Sequence, residues 1–475
     1  MSPAAPFDRC LAADPYYLSV LETIVLPMRF RDRMVPAQAA RYAAAFRHIR
    51  AQDYGTALAL LDELAQTTGG ADGGLALATA ATVHWIAGSD RAATALLDRC
   101  RACAPDCAEY RHLAGVQAIR QRAPAAAAAR FLEAVTLDPG FGPGWAALAL
   151  LYALDDQWTA AEVPARRALA AGCELGAGLV ACCLLFSTLF QGKPMAGPFL
   201  ATPETVPAAA VERLLARLPA VDTSHPPPPD ETGPTLFVFC DPVYLRAHAL
   251  PLIRSLAAVA ADCAVHLHVA NPRPEDPGLI RDMAAGLSGT RIRLSHAVET
   301  ADPGRFGPLG IYCACVRFCR FHQFIRDSRR PALMVDADSL FRRPPDRIPG
   351  WGRADLDLAL LANPTAPPWE RFLGCGIYAA PSPDGLDTLA RIAAFIARNL
   401  IAGKGRWFLD QIALFLAHRT RGAGLRLLTW DAANGPFDLR HRDDSVVWTV
   451  AIRKEEEGRY KKYKQTLLNH TIPAP

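Results

Sequence analysis

The 475-residue chain is too long for one ordinary hydrophobic core and reads as roughly two to four domains. With 51% hydrophobic and 21% charged residues and a formal net charge of +4, it is neither a disordered chain nor a polyelectrolyte, and bulk charge gives no case for a nucleic-acid partner. Its 13 cysteines are scattered through segments that read as helix or strand, the pattern of reduced thiols rather than of a small disulfide-stapled scaffold.

The first residues, Met1-Ser2-Pro3 with Asp8, Arg9 and Asp14 ahead of any apolar run, do not have the basic-then-apolar order of a secretory signal, so a cytoplasmic location is expected. An alanine-rich region follows, and Ala93, Ala127 and Ala161 recur in it at an interval of about 34 residues, the tetratricopeptide period. The same register sets Leu97 opposite Phe131, Pro105 opposite Pro139 and Ala134 opposite Ala168. Small residues suit the close approach of two paired helices, an aromatic such as Phe131 fills the gap between pairs, and proline ends the second helix. Four units are expected between about 37 and 172, inside a helical domain spanning 1–218. On these residues the region resembles the tetratricopeptide family, and the resemblance implies a concave surface that binds a partner protein, a peptide or the acceptor of a reaction. Cys100, Cys103 and Cys107 are the nearest thing to a metal cluster here, but no pair of histidines follows at zinc-finger spacing.

The apolar stretch from Leu175 to Phe190 is shorter than the roughly 20 residues that cross a bilayer and contains Gly176, Gly178 and Ser187, so a buried helix is expected rather than a transmembrane segment. A further helical stretch lies near Val211 to Leu218. The prolines from Pro226 to Pro229, flanked by Asp222, Asp230, Gly233 and Pro234, mark a semi-rigid linker over 219–234.

From 235 to 475 the pattern changes to strand and helix in alternation. Thr235 to Cys240 reads as a buried strand, Tyr244 to Val259 as a helix, Val265 to Val269 and Arg291 to Ser295 as strands, Tyr312 to Arg326 as a helix, and Pro331 to Val335 as a fourth strand. Alternation of this kind gives an α/β domain with a mostly parallel sheet, in which ligands bind beyond the carboxyl ends of the strands. Asp336-Ala337-Asp338 stands at such an end. Strand alternation would point residues 336 and 338 the same way, so that both carboxylates share one hard divalent cation able to bridge a diphosphate. A second acidic pair, Asp355 and Asp357, precedes an apolar run instead of ending one and is discounted.

The segment from Val316-Arg317-Phe318 to Asp336-Ala337-Asp338 resembles the core of the GT-A-fold glycosyltransferases, especially the retaining group that includes glycogenin. Gly374-Cys375-Gly376-Ile377-Tyr378, Phe408-Leu409-Asp410-Gln411 and Asn469-His470 extend the likeness over about 236–470. The resemblance implies a metal-dependent transfer of sugar from a nucleotide-diphosphate donor, with Mn²⁺ or Mg²⁺ held by Asp336, Asp338 and His470. It implies Arg317 at the donor phosphates or steadying the carboxylates, Asp241 at the nucleoside, Gly374 and Gly376 bordering the acceptor side, and Asp410 and Gln411 beneath the sugar. Asp410 and Gln411 read equally as first-turn residues of the helix that follows, and Asp241 as the end of its strand. The glycine and lysine that follow the family's late histidine are missing after His470, where Lys461, Lys462 and Lys464 are the nearby cations. Two other readings stand beside this one. A haloacid-dehalogenase-type phosphatase also uses an acidic pair after a strand, and a non-catalytic scaffold would keep the repeats with a degenerate second domain.

Overall fold

The computed structural model describes residues 36–51, 53–155, 157–173, 183–184, 186, 208–227, 233–363, 366, 370–405, 408–450 and 458–469. It divides into two compact units, Met1–Phe199 and Leu200–Pro475.

The first unit is built from helix pairs. α1 (Pro36–Arg50) pairs with α2 (Tyr54–Thr67), α3 (Gly70–Ile86) with α4 (Asp90–Cys103), α5 (Ala108–Arg120) with α6 (Pro124–Leu137), and α7 (Gly142–Leu154) with α8 (Trp158–Ala170). The second helices begin at Asp90, Pro124 and Trp158, repeating the interval of the alanine ladder. Ala93, Ala127, Ala161 and Phe131 are all fully buried. Phe131 sits where Gly115 leaves room, since a Cβ at that glycine would lie 2.5 Å from the ring. The four expected units are therefore present as a tetratricopeptide-type array. Of the expected apolar helix at 175–190, only Cys183, Leu184 and Phe186 fall within the described residues; all three are helical and buried.

The second unit is organised on an eight-stranded sheet of order β1-β4-β3-β2-β5-β8-β7-β9. Its strands are β1 (Val221–His225), β2 (Thr235–Cys240), β3 (Cys263–Ala270), β4 (Ile292–Glu299), β5 (Ala332–Asp336), β7 (Leu358–Ala362), β8 (Phe372–Ala379) and β9 (Leu427–Asp431). β2, β3, β4 and β5 run parallel, as the alternation implied, while β1 and β8 pair antiparallel with their neighbours. A small second sheet joins β6 (Leu340–Phe341), β10 (Phe437–Asp438) and β11 (Val447–Trp448). One face of the main sheet carries Leu236, Val238, Val265, Leu267 and Leu333 into a core closed by α10 (Leu250–Ala258) and α11 (Asp276–Ala285). The other face carries Phe237 against Phe321 and Phe324 of α12 (Leu309–Ser328).

The linker boundary needs correction. α9 (Ala208–Leu215) packs on α13 (Pro383–Ile401), and Val221–His225, expected to be linker, is the edge strand β1. Both elements therefore belong to the second unit, because backbone groups that pair with β4 cannot also form a free spacer.

Candidate active site

The chain runs from β2 outward through β3 and β4, then returns to the other side of β2 as β5, so the carboxyl ends of β2 and β5 adjoin at the point where strand order reverses. Ligand crevices of open α/β sheets open at such points. Asp241 follows β2 and Asp336 ends β5, with Phe239 and Asp336 in register.

Arg317, on α12, organises the carboxylates. Its Nη1 donates to Asp336 Oδ1, its Nη2 to Asp410 Oδ2 at 3.4 Å and its Nε to the Ala314 carbonyl at 3.0 Å. Burial alone would weaken the guanidinium's hold on its proton, but Asp336 and Asp410 together keep its pKa above the usual value. Burial pushes the Asp410 carboxyl up, against the pull of Arg317. The contact requires glycine opposite: a Cβ on Gly374, in β8, would stand 2.4 Å from Arg317 Nη2 and 3.2 Å from Asp410 Oδ2. Gly376 has a different role, lying under the Phe437 ring at 2.8 Å from its own would-be Cβ.

α14 (Leu409–Arg419) begins at Phe408, which has φ 71°, a left-handed conformation that a bulky residue adopts only when its surroundings impose it. The turn delivers Asp410 to Arg317. Gln411 Oε1 is buried with no hydrogen-bond partner, a group whose desolvation is uncompensated until something donates to it.

β5 stops at Asp336, so strand alternation does not orient Asp338, which lies two residues on in a turn closed by the Ser339 N–H on the Asp336 carbonyl at 2.9 Å. The two carboxylates nevertheless share a neighbour. Burial, then Asp336, then Asp338 push the Cys375 thiol up, with Arg317 opposing them. Behind the turn, the Tyr460 hydroxyl donates to the Asp338 carbonyl at 2.7 Å and the Tyr463 hydroxyl to the Phe341 carbonyl at 3.2 Å, tying α15 (Gly458–Asn469) to this loop. Nothing in the sequence signalled Tyr460, and Cys375 stood in the 374–378 motif without a role of its own.

Among the described residues no group of three His, Cys, Asp or Glu side chains could hold a metal ion. His470, expected as a ligand, lies outside those residues. Asp336 and Asp338 alone still suit Mg²⁺ or Mn²⁺, hard ions that take one or two protein carboxylates and complete their shell with water and phosphate oxygens. Arg317 occupies one oxygen of Asp336, and a carboxylate has lone pairs to accept more than one partner.

Asp241 accepts from the Tyr244 N–H at 2.8 Å, so its carboxylate caps the helix after β2. Asp355 bonds Arg353, and Asp357 is buried against Arg426, whose hydrogen bond first among its causes pushes the Asp357 carboxyl down to about 2. Asp357 thus ties the start of β7 to the segment before β9, while Asp355 makes only an exposed surface pair. Lys464 Nζ lies 3.2 Å from His248 Nδ1.

The site thus defines an α/β domain with carboxylates and a guanidinium gathered at its switch point. No family model and no curated protein matches the chain. Solved structures with a similar fold include the galactosyltransferase LgtC in complex with donor and acceptor sugar analogues, at 14% identity over 50% of this chain and 97% of that one, with a TM-score of 0.35. They also include the glycosyltransferase GlyE of Streptococcus pneumoniae, at 12% identity over 50% of this chain and 63% of that one, TM-score 0.34. A third is the bifunctional glycosyltransferase WbbM, at 10% identity over 64% and 54%, TM-score 0.32. Identities and scores this low make them likenesses only. Among the described residues no helix is long and apolar enough to cross a membrane.

Proposed function

We propose that the chain is a metal-dependent glycosyltransferase that takes a sugar from a nucleotide-diphosphate donor and moves it to a protein or glycan acceptor recruited by the repeat array. The observation that carries this reading is the Arg317 bridge between Asp336 and Asp410 at the reversal of strand order, with Gly374 leaving the space for it. Asp336 and Asp338 would hold Mn²⁺ or Mg²⁺, which when bound supplies positive charge to a departing diphosphate. Arg317 keeps Asp336 in place and adds a second cation beside the phosphates. Asp410 fixes the far end of that guanidinium. The unsatisfied Gln411 oxygen is an acceptor for a sugar hydroxyl, which would convert its desolvation cost into donor affinity.

The phosphatase reading would need Asp336 as nucleophile, and an Asp locked to an arginine is a poor one. A screen of nucleotide sugars with and without divalent metal, on the wild-type chain and Asp338→Ala, tests the proposal. Metal-requiring release of nucleoside diphosphate by the wild type, lost in the variant, is expected; turnover of phosphomonoesters alone would refute it.

A further inference from the structure

Asp338 is the carboxylate of the proposed seat that the main sheet does not place. The ladder between β2 and β5 stops at Asp336 and β6 begins at Leu340, so Asp338 lies in the turn between them, outside any strand register. What reaches it is the C-terminal helix. Tyr460, 2% exposed, donates its hydroxyl to the Asp338 carbonyl at 2.7 Å from a position 122 residues further along the chain. The Tyr460 ring packs with Leu340, Trp448, Val450 and Leu467 in one buried cluster, and the His441 ring lies 5.4 Å from it at 36°. A phenol enclosed in a close-packed cluster is a fixed point, not one that follows the turn.

α15 is itself fastened at two further places. The Tyr463 hydroxyl donates to the Phe341 carbonyl at 3.2 Å, and the Arg342 guanidinium lies 4.3 Å from the Tyr463 ring and 4.4 Å from the Trp448 ring. At the other end of the helix, Arg254 of α10 donates to the Leu467 and Leu468 carbonyls at 3.0 and 2.7 Å, satisfying two of the acceptors that a helix leaves open at its C-terminus. Tyr463 and Arg254 fix the helix to the fold. Tyr460 differs from both in ending on a residue of the seat.

Groups that orient a metal ligand without touching the metal typically change its affinity by about ten- to a hundredfold when removed. We propose that Tyr460 is a positioning residue: by anchoring the Asp338 carbonyl to α15 it holds the Asp338 carboxylate in its metal-binding place, and so couples the cation seat to the docking of the C-terminal helix. The inference rests on the reading of Asp336 and Asp338 as a divalent-cation seat. Coupling of this kind is reciprocal, so a helix that favours the cation when docked is itself held more firmly when the cation is bound.

The full-length chain is titrated with Mn²⁺, alone and with UDP, GDP or ADP, and free Mn²⁺ is read by electron paramagnetic resonance. Tyr460→Phe keeps the ring, loses only the hydroxyl and should bind Mn²⁺ about tenfold more weakly. Tyr463→Phe, which loses the neighbouring bond from the same helix, should keep the wild-type affinity, with thermal melting of both variants confirming that they fold. Hydrogen exchange of the amides at 458–469 gives a second readout that begins with the wild type: Mn²⁺ should slow it there and leave it unchanged in Tyr460→Phe. Wild-type affinity in Tyr460→Phe, equal losses in the two variants, or exchange in the wild type indifferent to Mn²⁺ would overturn the role given to Tyr460 while leaving the seat standing. No Mn²⁺ binding by the wild type under any of these conditions would remove the seat, and this inference with it.

Discussion

Replacing Gly374 by alanine places a methyl group 2.4 Å from Arg317 Nη2, well inside van der Waals contact, with Phe318 Cζ at 3.4 Å closing the other side. Arg317 is held by Asp336 and the Ala314 carbonyl, so the contact that gives way is its 3.4 Å bond to Asp410. A hydrogen bond to a charged group is worth about 1.5–3 kcal/mol, and a domain of this size loses about 2–4 °C of melting temperature per kcal/mol. The second unit should therefore melt about 3–12 °C lower. Activity should suffer more than stability, because a displacement of about 1 Å at a reacting centre costs on the order of a hundredfold in rate. Gly376→Ala is the control: its Cβ meets the Phe437 ring at 2.8 Å, an overpacking cost of about 1–3 kcal/mol, but it does not touch Arg317. Calorimetric melting and nucleotide-sugar turnover of both variants decide the matter. Comparable stability losses with a selective loss of turnover in Gly374→Ala are expected, and equal turnover per folded molecule in the two would refute the role given to Arg317.

His112 in α5 is fully buried between Phe131 and Phe141, with neither ring nitrogen hydrogen-bonded, and burial lowers its pKa to about 3. His112→Leu should stabilise the repeat array by about 1 kcal/mol or more at pH 7. Because the unfolded imidazole takes a proton near pH 6.5 and the folded one only near 3, wild-type stability is lost as pH falls through that window, and the variant's advantage should grow by about 2 kcal/mol between pH 7 and pH 5. Denaturant melts at the two pH values giving the same difference would contradict this. Asp357→Asn removes the charge and turns one of the two oxygens that accept three bonds from Arg426 into a donor, and should lower the melting temperature of the second unit without changing turnover; a selective activity loss would place Asp357 in the active site. Gln411→Ala should raise KM for the donor and leave the melting temperature level or higher, whereas an unchanged KM would remove Gln411 from the donor site.

The repeat array was legible because its constraint is local: a small residue is required wherever paired helices touch, so Ala93, Ala127 and Ala161 print the period directly into the sequence. The parallel strands were legible for the same reason, being buried on both faces and continuously apolar, as in Thr235 to Cys240. β1 was not, since Val-Asp-Thr-Ser-His at a sheet edge has no such run and stands beside a proline cluster that dominates the local signal. Asp336 was found from its place at a strand end. Its tie to Asp410 was not, because Arg317 and Asp410 stand 93 positions apart and meet only when α12 and α14 pack beside β8. The reach of Tyr460 to the Asp338 carbonyl, across 122 positions, is of the same kind.

In the proposed function, Asp336 and Asp338 together would seat a divalent cation that grips a nucleotide diphosphate. Isothermal titration of the full-length chain with UDP, GDP and ADP, each with and without Mn²⁺, measures this seat itself. Binding of at least one nucleotide that requires Mn²⁺ and disappears in Asp338→Ala is the expected result. Nucleotide binding indifferent to both metal and variant, or none at all, would contradict it.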